Sequence, residues 1–199
     1  MPLLPISAQC WQDDFEGSKV RACGKPRPRR PAVFLDRDGV INDDLGYVGH
    51  PSRFLWKTGV FEAIRLLNRT HSVFIATNQS GVARGFFTND DVTDLHRWML
   101  DELERRDACV DDIRWCPYHP DGTVAEYARP SRWRKPQAGM LLDLMKHWDV
   151  AEQGSFVIGD KPSDLEAARA VSLPGFQFHG TDLNMFVRDC LRTMASEYG

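Results

Sequence analysis

Long apolar runs are missing from this 199-residue sequence. No stretch approaches the roughly 18 to 20 apolar residues that a bilayer-spanning helix needs, so no membrane span is expected. A charge excess is missing as well: 25 Lys and Arg stand against 28 Asp and Glu, for a formal charge of −3. That balance excludes a global attraction to nucleic acid or to an anionic membrane surface. Cysteines are few, scattered and odd in number: Cys10, Cys23, Cys109, Cys116 and Cys190. Such usage argues against a disulfide framework and for a reducing compartment. The opening MPLLPISAQC is too short and too proline-broken for the apolar region of a signal peptide, so the protein is read as cytoplasmic. No internal repeat or low-complexity segment is visible, and nothing marks an obligate dimer, so a monomer is expected.

What is present is enough chain for one domain with a well-buried core. Residues 1–31 differ from the rest. KPRPRRP cannot hold a helix or a central strand, because proline removes donors and fixes φ. This segment reads as a flexible or loosely packed arm, with a nucleic-acid-binding or partner-binding arm over 21–30 as the sharper alternative. From residue 32 the pattern alternates. AVFLD (32–36), SVFIATN (72–78), DIRWCPY (112–118), SFVIGD (155–160) and GFQFHG (175–180) read as strands. Between them lie helical patterns over 59–69, 88–106, 139–149 and 163–171, with a last helix over 182–195. The first places Val60, Ile64 and Leu67 on one face. The second carries a Val92, Leu95, Met99 and Leu103 stripe behind a Thr88–Asp91 capping box. Repeated strand–helix units predict an α/β fold, a three-layer Rossmann-like parallel sheet covered on both faces.

In such sheets ligands bind at the carboxyl ends of the strands. The first strand ends at Asp36, the second at Thr77-Asn78 and the fourth at Asp160, so polar residues from three strands gather on one edge. Three carboxylates there are tolerable if a cation sits among them, and hard oxygen donors suit Mg2+. Beside that ion Asp36 can act as a nucleophile. Asp38 can give a proton to a leaving group and later take one from water. Gly39 permits a sharp turn that lets backbone amides approach an anion. Thr77, Asn78, Arg134 and Lys135 can offset phosphoryl charge. Each feature alone has a plainer reading: a turn for D-x-D-G and for Thr77-Asn78, a helix cap for Asp160, a solvated pair for Arg134-Lys135. Their joint placement at successive strand ends favours the catalytic reading.

FLDRDGVINDDLGYV, ATNQSGVARGFFT, CPYHPDG, RKPQAGML and IGDKPSDLEAA resemble the haloacid dehalogenase-like (HAD-like) phosphatases. Within them the similarity is to the D-glycero-D-manno-heptose 1,7-bisphosphate phosphatases, sister branch of the histidinol-phosphate phosphatases. It runs in order from about residue 32 to about residue 180. The resemblance implies that Asp36 becomes the aspartyl phosphate and that Asp38 is the general acid/base, offering its backbone carbonyl to Mg2+. It implies Asp36 and Asp160 as metal-ligating carboxylates, and Thr77 and Lys135 on the transferring phosphoryl group. Asp44, Gly46, Tyr47, Asn78, Gln79, Ser80, Arg134 and Lys161 would line the sugar-phosphate site. A phosphatase domain over 32–199 without a large cap domain is expected, since the insertions after the first and third strands are short.

One departure concerns zinc. Members of the family carry a zinc loop, C-P-x-H-P followed by C-x-C before R-K-P. Here Cys116 stays, Tyr118 occupies the usual ligand position, and Ser131 and Trp133 stand where two cysteines belong. Cys116 and His119 cannot complete a tetrahedral site, so zinc is expected to be absent. The 117–134 loop would instead be held by packing through Tyr118, Tyr127 and Trp133. The leading expectation is a Mg2+-dependent phosphomonoesterase that removes the 7-phosphate of a heptose 1,7-bisphosphate, in the supply of nucleotide-activated heptose for lipopolysaccharide or other surface polysaccharide. Histidinol-phosphate phosphatase, nucleic-acid end phosphatase and non-catalytic binding protein are the alternatives. His50 is a candidate substrate contact; His71, His96, His147 and His179 show no metal spacing and read as surface or packing residues.

Overall fold

The computed structural model describes residues 20–21 and 29–197. Six strands, β1 (Val20–Arg21), β2 (Pro31–Leu35), β3 (Ser72–Asn78), β4 (Asp112–Cys116), β5 (Ala151–Gly159) and β6 (Gly175–Gln177), form one sheet in the order β1-β4-β3-β2-β5-β6. The helices are α1 (Val60–Leu67), α2 (Asn89–Glu104), α3 (Gly139–His147), α4 (Pro162–Ala170) and α5 (Leu183–Glu197). The five strands expected from periodicity are β2 to β6, and all pair in parallel. Two features depart from the sequence reading. Val20–Arg21 adds an antiparallel edge strand on β4, so the 1–31 segment is tied to the sheet there, and the rest of it up to residue 28 lies outside the described residues. Cys109 is disulfide-bonded, a correction to the cysteine reading, while Cys116 and Cys190 are buried thiols outside any disulfide.

Strand periodicity builds the two cores. In β2, Val33 and Leu35 point to one face and Ala32 and Phe34 to the other; in β3, Val73 and Ile75 oppose Phe74 and Ala76. The first set packs under α1, α2 and α5 through Ile64, Leu67, Leu95, Met99 and Val187. The second packs under α3 and α4 through Met140, Leu141, Leu144 and Ala167. Side chains of this size contribute about 1.5–3 kcal/mol each when fully buried. Helix α2 starts as the sequence indicates: the Asp91 amide donates to Thr88 Oγ1 (3.1 Å) and the Thr88 amide donates to the Asp91 carboxylate (2.7 Å). β4 stops at Cys116 because Pro117 cannot donate to a ladder. Among the described residues no helix is long and apolar enough to cross a membrane.

Candidate active site

β3, β2 and β5 are neighbours, with Leu35 in register with Ile75 and Ile158. The residues just past that level, Asp36, Thr77-Asn78 and Asp160, therefore share the carboxyl edge. The Asp36 amide donates to the Ile158 carbonyl at 2.9 Å, which ties the first turn after β2 to β5. Gly39 has φ of +89°, and a Cβ there would lie 2.3 Å from Asp160 Oδ2. Only glycine lets this loop pass against the carboxylate.

The edge surrounds a cavity of about 320 Å³, lined by Asp36, Asp38, Asp44, Gly46, Tyr47, Thr77, Asn78, Gln79, Ser80, Lys135 and Lys161, and also by Gly81, Phe87, Ser163 and Asp164. Lys135 Nζ lies 3.0 Å from Asp36 Oδ1, 2.6 Å from Asp164 Oδ1 and 2.7 Å from the Ala76 carbonyl. Burial alone would lower this lysine's pKa, but the two carboxylates outweigh it and raise it. Asn78 fixes the lysine's backbone: its Nδ2 donates to the Lys135 carbonyl (3.0 Å) and its Oδ1 accepts from the Lys135 amide (3.0 Å). Asp38 accepts from Arg37 Nη2 on both oxygens (3.0 and 2.9 Å), from Asn42 Nδ2 (2.9 Å) and from Gln79 Nε2 (2.8 Å). Gln79 Nε2 also donates to Thr77 Oγ1 at 3.0 Å.

Carboxylate oxygens of Asp36, Asp160 and Asp164 lie within 4.8 Å of one another. Asp160 Oδ1 is buried with no hydrogen-bond partner. Burial pushes Asp36 up to about 6, an effect that Lys135 opposes and Asp164 and Asp38 reinforce. Burial also raises Asp160, with Lys161 opposing and Asp164 and Asp44 adding to the rise. An orphaned oxygen among three desolvated carboxylates fits a hard divalent cation. Across the cavity, Lys161 Nζ is 2.8 Å from Asp44 Oδ2, and the Gly46 amide donates to Asp44 Oδ1 at 3.0 Å. Tyr47 meets the Phe86 ring at a tilt of 58°, with centroids 4.6 Å apart.

Of the residues singled out in the sequence, Arg134 stands apart. It is not among the cavity-lining residues; it is partly buried, with Nη1 3.4 Å from the Tyr118 carbonyl. His50 caps the 3-10 turn Pro51–Arg53 and lies outside the same lining. Asp164 was missed, although the motif IGDKPSD contains it: four residues after Asp160, it falls in the first turn of α4 and faces the same edge. Arg37 and Phe87 were missed too. Phe87 packs close against two glycines, for a Cβ at Gly81 or Gly49 would fall 2.2 Å from its ring.

In the 117–134 loop, Tyr118 and Tyr127 rings sit 5.8 Å apart and the Arg129 guanidinium lies 4.2 Å over Tyr118. Trp133 is buried in the core beneath α3. Cys116 Sγ is 3.9 Å from the Tyr118 carbonyl, while His119 Nε2 is 3.4 Å from Arg84. Among the described residues, the carboxylate trio is the one cluster of three or more acidic, histidine or cysteine side chains with metal-ligand spacing.

A HAD-hydrolase-like family model matches residues 132–176. The chain is 55% identical over 168 residues to a D-glycero-beta-D-manno-heptose-1,7-bisphosphate 7-phosphatase of Rhodopseudomonas palustris, covering 84% of this chain and 93% of the relative. It is 42% identical over 144 residues to the enzyme of the same name from Escherichia coli K12, covering 72% and 75%. Among solved structures, a putative HAD-like phosphatase from Mesorhizobium loti superposes with a TM-score of 0.80 at 31% identity, over 88% of this chain and 91% of that one. The D,D-heptose 1,7-bisphosphate phosphatase of B. bronchiseptica, complexed with magnesium and phosphate, superposes with a TM-score of 0.68 at 31% identity, over 80% and 86%. Fold, edge chemistry and these similarities agree: the chain belongs to the heptose 1,7-bisphosphate phosphatase family of HAD-like hydrolases.

Proposed function

We propose that this chain hydrolyses the 7-phosphate of D-glycero-D-manno-heptose 1,7-bisphosphate through an aspartyl phosphate, as a step towards nucleotide-activated heptose for lipopolysaccharide or other surface polysaccharide. The observation that carries the reading is the convergence of Asp36, Asp160 and Asp164 with Lys135 in one cavity. Mg2+ held by Asp36, Asp160, Asp164 and the Asp38 carbonyl would neutralise phosphoryl and carboxylate charge. Asp36 attacks phosphorus as the ester P–O bond breaks, and Asp38 gives its proton to the departing sugar oxygen. Water then attacks the acyl phosphate, Asp38 takes its proton, and the bond from Asp36 to phosphorus breaks to free phosphate. Lys135 and Thr77 hold the phosphoryl oxygens. Lys161, with Asp44 and the Gly46–Tyr47 turn, contacts the sugar part of the substrate across the cavity.

The same reading includes a loop without zinc. Tyr118, Tyr127, Arg129 and buried Trp133 occupy the 117–134 segment, and Cys116 and His119 turn to different partners. Two such residues do not make a tetrahedral site. The reaction is tested by Asp36→Asn in Mg2+. Phosphate release should vanish while the far-ultraviolet spectrum and melting temperature stay near wild type. Residual activity close to wild type rejects Asp36 as the nucleophile.

A further inference from the structure

Arg37, between the two aspartates of the first motif, is fully buried, and so is His96 in the middle of α2. Besides its two contacts to Asp38, Arg37 Nη2 donates to the Val48 carbonyl at 2.6 Å and to Gln79 Oε1 at 3.0 Å. Its other terminal nitrogen, Nη1, is 3.1 Å from His96 Nε2. A guanidinium has no acceptor, so His96 Nε2 accepts and the imidazole is the neutral tautomer with its proton on Nδ1, which is buried with no hydrogen-bond partner. Burial and the Arg37 charge both hold the His96 pKa well below the usual value, in keeping with a neutral ring. The ring meets Trp115 edge-on with centroids 4.8 Å apart, which fixes its plane within the core. Among the described residues, the ion pair of Arg37 is with Asp38 alone.

A core that needed only volume here would do as well with an apolar side chain, since a buried ion pair gives little net stability. What this arrangement supplies is direction. The guanidinium is planar, and it is held at both terminal nitrogens: Nη2 shares its two hydrogens among Asp38, Val48 and Gln79, Nη1 meets His96, and Nε is buried without a partner. Through it, the Asp38 carboxylate is held at both oxygens. We propose that Arg37 and His96 are positioning residues: a buried brace that runs from His96 on α2 through Arg37 and sets the Asp38 carboxylate for proton transfer to the leaving oxygen. The proposal rests on the reading of Asp38 as the general acid/base, and the experiment separates the two.

Two substrates distinguish orientation from stability. Heptose 1,7-bisphosphate loses a poor leaving group that needs a proton. 2,4-Dinitrophenyl phosphate loses a phenolate that needs none, and its first step is read as a pre-steady-state burst of dinitrophenolate. His96→Leu should lower kcat on the sugar ester by about 10–100-fold, part of the 10²–10⁴ ascribed to acid–base catalysis. KM should stay within about twofold and the burst rate should be unchanged. His96→Gln, which keeps an acceptor, should recover most of the loss. Arg37→Lys, whose single ammonium cannot span Asp38 and His96 together, should behave like His96→Leu, and it carries the test if His96→Leu does not fold. Equal losses on both substrates, a loss confined to KM, or full activity of both His96→Leu and Arg37→Lys overturns the brace. Asp38→Asn is the control. If it shows no leaving-group dependence, the reading of Asp38 itself fails; if it does and the brace variants do not, the brace alone fails.

Discussion

Asn78 grips Lys135 by its backbone, giving one hydrogen bond to the carbonyl and taking one from the amide, each at 3.0 Å. The two residues are far apart in the chain, and this double contact is what carries the 117–134 loop's end onto the carboxyl edge of β3. Sequence reasoning placed Asn78 against the substrate; the structure shows it lining the cavity while its amide is spent on the lysine.

Asn78→Ala should therefore act on chemistry more than on affinity. A catalytic group misplaced by about 1 Å can cost on the order of 100-fold in rate. Turnover should drop by about 10–100-fold with a smaller change in KM, as steady-state kinetics would show. A change in KM alone would mean that Asn78 serves mainly as a substrate contact.

Lys135→Ala removes the buried cation between Asp36 and Asp164. Uncompensated buried charge costs about 3–5 kcal/mol. Metal-free protein at pH 7.5 should lose stability of that order in urea titration, and Mg2+ should restore more of it than in the wild type. Activity should fall below detection even where the fold is restored. Stability unchanged from wild type in EDTA would contradict the electrostatic role given to Lys135.

Asp36 sits at about 6 in the metal-free protein, above its ordinary value of 3.8. The folded state thus keeps a proton that the unfolded chain has already released, so this group's contribution lowers stability as pH climbs from about 4 to about 6. The same proton must leave when Mg2+ binds. Magnesium affinity should rise with pH from 5 to 7 and level off above about 7. Calorimetry in buffers of different ionisation enthalpy should detect proton release at pH 6 and almost none at pH 8. Affinity independent of pH across this range would contradict the assignment of Asp36 as a ligand.

How much of this was legible beforehand depended on where each constraint lies. The β2 and β3 strands and the α2 capping box are written in local periodicity and in single residue pairs, and the structure keeps them. Asp36, Thr77 and Asp160 could be placed together because strand ends of a parallel sheet share an edge. The Arg37–His96 contact could not be read, because it joins positions 59 apart through a side chain with no motif of its own. His96 looked like packing, and it is packed, but its outward nitrogen faces Arg37. Asp164 stood inside a quoted motif; only the turn of α4 brings it back to the edge. Arg134 was placed by its neighbour Lys135, yet adjacent residues in a loop can point apart, and these do.

Packing, not zinc, is taken to hold the 117–134 loop. Purified protein should contain far less than one zinc per chain by elemental analysis. Trp133→Ala, which empties a buried site, should cost about 3–5 kcal/mol. Stoichiometric zinc that survives dialysis would contradict it.

The most direct measurement is phosphate release in Mg2+ from heptose 1,7-bisphosphate, run beside histidinol phosphate, a panel of sugar monophosphates and a 5′-phosphorylated oligonucleotide. One equivalent should leave the heptose bisphosphate, from the 7-position, with kcat/KM at least about 100-fold above every other compound. Faster turnover of histidinol phosphate or of the oligonucleotide, or no release from any of them, would contradict the function proposed.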